Sequence, residues 1–200
     1  MSRPELVSLS LADPPGRWDA LGFEVRDDRM RLGAIEVELG APGDGIVGWS
    51  VRGVEDGAAV DGLPWRDSTL SVAEPAAPHP NGAVGLDHVV VLTPDFDRTA
   101  AALDAAGLSL RRVRDAGGFR QGFRRLGPAI LELVEAKGAP VDQPARFWGL
   151  VVIVSDLGAL SERLGDRLAP VKDAVQPGRR IATLRRPAGI GTNVAFMDPE

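Results

Sequence analysis

This chain of 200 residues has no cysteine, no tyrosine, two histidines and two lysines. The missing thiols exclude a disulfide framework, a thiolate nucleophile and a cysteine-ligated metal centre. No apolar stretch approaches the roughly 20 residues of a membrane-spanning helix. The opening MSRPELVSLSLADPP lacks the basic start and long apolar centre of a secretory signal. A soluble, cytoplasmic protein with no membrane partner is therefore the expectation. Positive charge is not in surplus either: 23 Lys and Arg stand against 28 Asp and Glu, a net charge of −5, which argues against nucleic acid as a partner. The rest of the composition is ordinary, with 44% apolar and 26% charged residues, and a chain of this length can bury a sizeable core.

What the chain does have is a repeat. From Leu86 it reads LDHVVVLTPDFDRTAAALDAAGLSLRR and then GFRQGFRRLGPAILELVEA; from Trp148 it reads WGLVVIVSDLGALSERLGDRLAPV and then GRRIATLRRPAGIGTNVAFMDP. Each half is an apolar run, an Asp-containing turn, an amphipathic helix and three strand-like runs. In the first half the pattern predicts a strand at Val89–Leu92, a helix over Phe96–Ala106 stopped by Gly107, and strands over Leu108–Val113, Phe119–Leu126 and Ala129–Val134. In the second it predicts a strand at Leu150–Val154, a helix headed by Asp156 and running through Leu164, and strands near 169–173, 179–185 and 192–197. Neither unit can bury its apolar face alone, so two copies imply a pair with a shared cavity.

Residues 1–54 read as a shortened further copy. Arg31–Glu38 aligns without a gap onto Arg125–Glu132. Strands are expected at Leu6–Leu11, Phe23–Arg26, Arg29–Leu32 and Ala34–Leu39, with a short helix opened by Asp13-Pro14-Pro15. The trailing strand at Gly45–Val54 reads as the remnant of a fourth copy. Residues 55–83 are a Pro/Gly-rich linker, in which His79 is expected as an exposed loop residue. The organisation is thus a shortened module (1–54), a linker (55–83) and a domain of two modules (84–137 and 146–198 within 84–200). The fold class is α+β: tandem β-α-β-β-β modules paired into a half-barrel, with an additional N-terminal module.

The doubled β-α-β-β-β order, the Asp-His-Val-Val-Val opening at Asp87 and the Ile-Leu-Glu-Leu ending at Ile130 resemble the glyoxalase I, bleomycin-resistance and extradiol-dioxygenase group, the vicinal oxygen chelate superfamily. The resemblance implies a cup-shaped sheet around a divalent metal, with ligands on the first and last strands of each module, and often a homodimer. His88 and Glu132 match those positions in the central module. Leu150 and Ala195 stand at the corresponding positions of the last module, and neither can bind a metal. The N-terminal copy offers Ser8 and Glu38, so pairing with the central module would gather His88, Glu132 and Glu38, a set suited to manganese, iron, nickel, cobalt or zinc. Pairing with the last module, the expected arrangement, leaves the metal site impaired.

Read without the resemblance, His88 is a hydrogen-bonded core residue. Glu132 shares a strand face with Ile130 and Val134, and a carboxylate there is costly unless paired or ligated. It is the leading catalytic candidate, with an ion pair to Arg124 or Arg125 as the bland alternative. Phe119, Gln121, Phe123, Leu150 and Ala195 are the expected cavity lining. Gly117-Gly118 and Gly189-Ile190-Gly191 read as turns, not phosphate cradles. In the arginine clusters, neighbours along a strand point to opposite faces, so at most one of each adjacent pair enters the cavity. Two functions follow. One is a binding protein for a small organic molecule with a degenerate metal site. The other is a metal-dependent lyase, isomerase or dioxygenase in which the ion polarises an oxygen and Glu132 ligates it or carries a proton.

Overall fold

The computed structural model describes residues 3–54, 60–65 and 77–200. The two predicted modules are present. The central one is β5 (Ala83–Thr93), α2 (Phe96–Ala105), β6 (Arg112–Asp115), β7 (Arg120–Leu126) and β8 (Ala129–Glu135). The last is β9 (Arg146–Val154), α3 (Leu157–Leu164), β10 (Lys172–Asp173), β11 (Arg180–Thr183) and β12 (Asn193–Met197). Each helix starts where an aspartate stands ready to cap it: Asp95 accepts from the Arg98 amide at 3.0 Å and Asp156 from the Ala159 amide at 2.9 Å. Helix α2 ends as Gly107 predicts. Leu108 N–H returns to Leu103 C=O and Gly107 N–H to Asp104 C=O, a Schellman closure with Gly107 at φ +76°. That closure buries Leu108 and delays β6, which begins four residues later than the apolar pattern predicts.

The modules join in one eight-stranded sheet of order β10-β11-β12-β9-β5-β8-β7-β6, with β5 antiparallel to β9 at its centre. The central module therefore pairs with the last, as expected. Strands β6 and β10 lie at opposite ends of this sheet, yet residues of both line the same cavity, so the sheet curls into a cup.

The N-terminal copy forms its own four-stranded sheet from β1 (Glu5–Leu11), β2 (Arg29–Leu32), β3 (Ile35–Glu38) and β4 (Ile46–Arg52), with a short helix α1 (Pro15–Asp19). The expected strand at 23–26 is reduced to a single bridge between Arg26 and Arg29. The order β2-β3-β1-β4 repeats β7-β8-β5-β9. The registers repeat too: Ser8 faces Glu36 and Ser10 faces Glu38, as His88 faces Ile130 and Val90 faces Glu132. Strand β4 meets β1 as β9 meets β5, antiparallel and with register shifts, so it has the position of a fourth copy's first strand.

One apolar core runs through both sheets. It joins Trp18, Phe23 and Trp49 to Val89, Leu131, Leu150 and Phe196, whereas Val151, Ala195 and Met197 cluster separately on the cup face. The N-terminal sheet thus packs on the side of the large sheet away from the cup. Phe23 stacks on Phe196 with ring centroids 6.2 Å apart, and Trp49 meets Phe147 edge-on at 5.6 Å. The buried Asp13 carboxylate accepts from the Gly191 and Thr192 amides and the Thr192 hydroxyl, tying the first copy to the turn before β12.

Residues 55–59 and 66–76, most of the predicted linker, lie outside the described residues. Its last part is not an exposed tether. His79 is buried, its Nδ1 accepting from Glu24 N–H at 2.8 Å and its Nε2 meeting the Arg31 carbonyl at 2.6 Å. Two satisfied ring nitrogens and a Phe23 ring 5.4 Å away hold it inside. Asn81 likewise bridges the Leu21 carbonyl and the Ala83 amide.

Candidate functional site

The cup encloses a cavity of about 920 Å³. Its polar side is built by strand register. Arg125 faces Ile130, which faces His88; Arg112 faces Phe123, which faces Glu132; and Arg114 faces Gln121. Directly paired residues share a sheet face, so all of these point into the cup. The alternation rule holds for the arginines: Arg125 enters the cup while Arg124 is buried on the other face, and Arg179 enters while Arg180 pairs outside with Asp198 at 2.7 Å.

At the centre is a chain of five side chains. Arg179 donates to Asp87 at 2.7 Å, Asp87 lies 2.7 Å from His88 Nδ1, His88 Nε2 lies 3.2 Å from Glu132, and the second Glu132 oxygen accepts from Gln121 at 2.7 Å. Asp87, His88 and Arg179 are buried and the Glu132 side chain is 12% exposed. Adjacent residues in a regular strand cannot face the same side, and a bulge solves this. The β5–β9 register slips between Leu86 and His88, leaving Asp87 as the extra residue and turning both side chains into the cup.

Both ring nitrogens of His88 face carboxylate oxygens. An ionised carboxylate can only accept, so both nitrogens donate and the ring is an imidazolium. Burial alone would push its pKa down; the hydrogen bonds and charges of Asp87 and Glu132 outweigh that and raise it to about 9. Burial likewise opposes ionisation of Asp87, but His88 and Arg179 hold its carboxyl below the ordinary value.

The last module supplies Arg179 to this chain but does not repeat the His88, Glu132 and Gln121 positions. The helix caps Asp95 and Asp156, the strand ends and the two bulged residues Asp87 and Trp148 all superpose with one offset, which sets His88 opposite Gly149. The partner registers then set Glu132 opposite Ala195 and Gln121 opposite Ile181. Gly149 cannot be otherwise, because a Cβ there would lie 2.0 Å from the Asn193 carbonyl oxygen. The sequence expectation of Leu150 at the ligand position is off by one. Leu150 faces the main core with no exposure, because the bulge at Trp148 shifts the alternation.

The remaining candidates divide cleanly. Gln121 and Phe123 line the cavity, whereas Ala195 is buried beneath it, packed with Val151 and Met197 and not itself among the lining residues. Phe119 precedes β7 and is not among the lining residues. Glu38 lies in the other sheet, where Ser10 Oγ donates to it at 2.9 Å, so it does not join His88 and Glu132. Glu132 pairs with His88 and Gln121 rather than with Arg124 or Arg125. Sequence reasoning missed Asp87 and Arg179. The Asp-His pair was visible, but only the bulge puts both side chains on one face.

Among the described residues, no group of three or more His, Cys, Asp or Glu is placed to hold a metal ion. His88 and Glu132 are the only metal donors at the matching positions, and Gly149 and Ala195 complete nothing. The residues present do not fit the metal that the resemblance implies.

No protein-family model matches this chain, and a search of curated proteins finds no match. Solved structures do resemble it. Methylmalonyl-CoA epimerase from Mycobacterium tuberculosis is 21% identical, the match covering 60% of this chain and 90% of that one with a TM-score of 0.48. A variant of the Streptomyces coelicolor methylmalonyl-CoA epimerase, in complex with 2-nitronate-propionyl-CoA, is 17% identical over 58% and 94%, TM-score 0.48. The hypothetical protein BH1468 from Bacillus halodurans is 16% identical over 57% and 94%, TM-score 0.46. The likeness is one of structure at low identity, and the paired β-α-β-β-β modules of this chain stand on their own registers. The fold is α+β, with two β-α-β-β-β modules joined in one sheet. No described helix is long and apolar enough to cross a membrane.

Proposed function

We propose that this protein binds a small organic molecule in the cup, with an ion pair standing where related sites place a metal. The observation that supports this reading is the lack of donors in the last module: Gly149 and Ala195 stand at the positions equivalent to His88 and Glu132, and a Cβ at Gly149 would lie 2.0 Å from the Asn193 carbonyl oxygen. The cavity of about 920 Å³ lies within the range of small-molecule sites, roughly 300–1,000 Å³. The test is elemental analysis after incubation with manganese, iron, nickel, cobalt and zinc and then desalting, with His88→Ala and Glu132→Ala alongside. Retained metal far below stoichiometry in all three proteins is the expected result. Stoichiometric metal in the parent, lost in both variants, would replace this reading with the metal-dependent lyase, isomerase or dioxygenase.

A further inference from the structure

The cup is chemically lopsided, and the lopsidedness specifies a ligand. Resting on the binding role proposed above, we infer that the cup takes an amphipathic organic acid, its carboxylate toward the β6–β7 wall and its apolar body against the β9–β12 wall.

The charges divide into two sets. Arg179, Asp87, His88 and Glu132 neutralise one another in the central chain. Outside that chain the cavity is lined by Arg111, Arg112, Arg114, Arg125 and Lys172 against only Asp173 and Glu200. None of the five cations has a carboxylate partner among the described residues. Arg114 donates to Gln121 at 2.8 Å and lies over the Phe123 ring at 5.3 Å, and Arg125 reaches only backbone carbonyls, at 3.4 and 3.5 Å. Register puts Arg112, Arg114 and Arg125 on the cup face at one end of the sheet, a converging set of forked donors suited to a carboxylate.

The opposite wall carries fewer cations: Lys172 at its edge on β10, and Arg179 already paired with Asp87. Val151, Ile153, Ile181, Ala195 and Met197 fill the equivalent face of the last module, joined by Ala174 from beyond β10. Ile181 stands where the first wall has Gln121, and Ala195 where it has Glu132. A ligand charged throughout would leave that wall wet, and a neutral apolar one would leave the arginines unpaired. An anionic head on an apolar body satisfies both.

Calorimetric titration of the full chain with octanoate, octanamide and acetate tests this. Octanoate is expected to bind at least tenfold more tightly than octanamide, with acetate weaker than either. An Arg112→Gln/Arg114→Gln double variant should weaken octanoate about tenfold and leave octanamide unchanged, and Ile181→Asn should weaken both. Circular dichroism confirms that the variants are folded. If octanamide binds as well as octanoate, or the arginine variant leaves octanoate affinity intact, the assignment of an acid is overturned while the binding cup stands. If neither eight-carbon probe binds, the cup reading itself falls with it.

Discussion

His88 carries the clearest quantitative consequence. Holding an imidazolium at about 9 instead of 6.5 amounts to a preference of about 3 kcal/mol for the charged ring in the folded state. Glu132→Gln keeps the shape and an acceptor oxygen but removes one of the two facing charges. An opposite charge at hydrogen-bond distance is worth roughly 1–3 pKa units, so the variant's His88 should titrate about 1–2 units lower. With only His79 and His88 in the chain, nitrogen-15 NMR titration follows both rings without ambiguity. The sign carries through to stability. A folded pKa raised above the unfolded one contributes stability that is fully present below pH 6.5 and is lost as pH rises through about 9. The urea midpoint of the parent should therefore fall across that window more steeply than that of His88→Gln. A parent His88 titrating at or below 6.5, or one unmoved by Glu132→Gln, would refute the ion-pair argument and restore a neutral ring able to bind metal.

Three further outcomes follow from packing and pairing. Asp87→Asn strands the buried Arg179 and should cost about 3 kcal/mol in denaturant unfolding, whereas Arg180→Gln, breaking the half-exposed pair with Asp198, should cost under about 1 kcal/mol. Gly149→Ala drives a Cβ into the Asn193 carbonyl and should cost at least about 2 kcal/mol, while Gly16→Ala, with open space around it, should be close to neutral. A fragment of residues 82–200 leaves Phe147 and Phe196 without the rings of Trp49 and Phe23. It should associate or aggregate in gel filtration, and a stable monomer would show that the shared core is dispensable.

The fold was legible because its signals are local and were stated twice. Asp95 and Asp156 cap helices, Gly107 stops one, and Ile130–Val134 alternates as a strand with one apolar face. The site was legible only in its first module. His88 and Glu132 could be placed from strand order, but Asp87, Arg179 and Gly149 depend on the bulges at Asp87 and Trp148. A bulge breaks the period of two on which sequence reasoning relies, and it leaves no mark in composition. His79 failed for a different reason. Its Pro-rich surroundings describe a turn-forming chain, and only the tertiary hydrogen bonds to Glu24 and Arg31 bury the ring.

The same strand geometry recurs three times with different chemistry at the same two positions. Ser8 and Glu38 occupy them in the N-terminal sheet, His88 and Glu132 in the central module, and Gly149 and Ala195 in the last. The backbone registers agree, so the fold does not distinguish a carboxylate held by serine, an ion pair and an apolar wall. What distinguishes them is what lies on the open face. The N-terminal sheet joins the shared core, and its Glu38 is satisfied locally by Ser10. The central and last modules face each other across the cup, where the central one brings most of the cations and the last an apolar cluster beside Lys172 and Arg179. The proposed binding role therefore rests on the asymmetry between two copies of one unit, a property of side chains that the shared backbone registers do not carry.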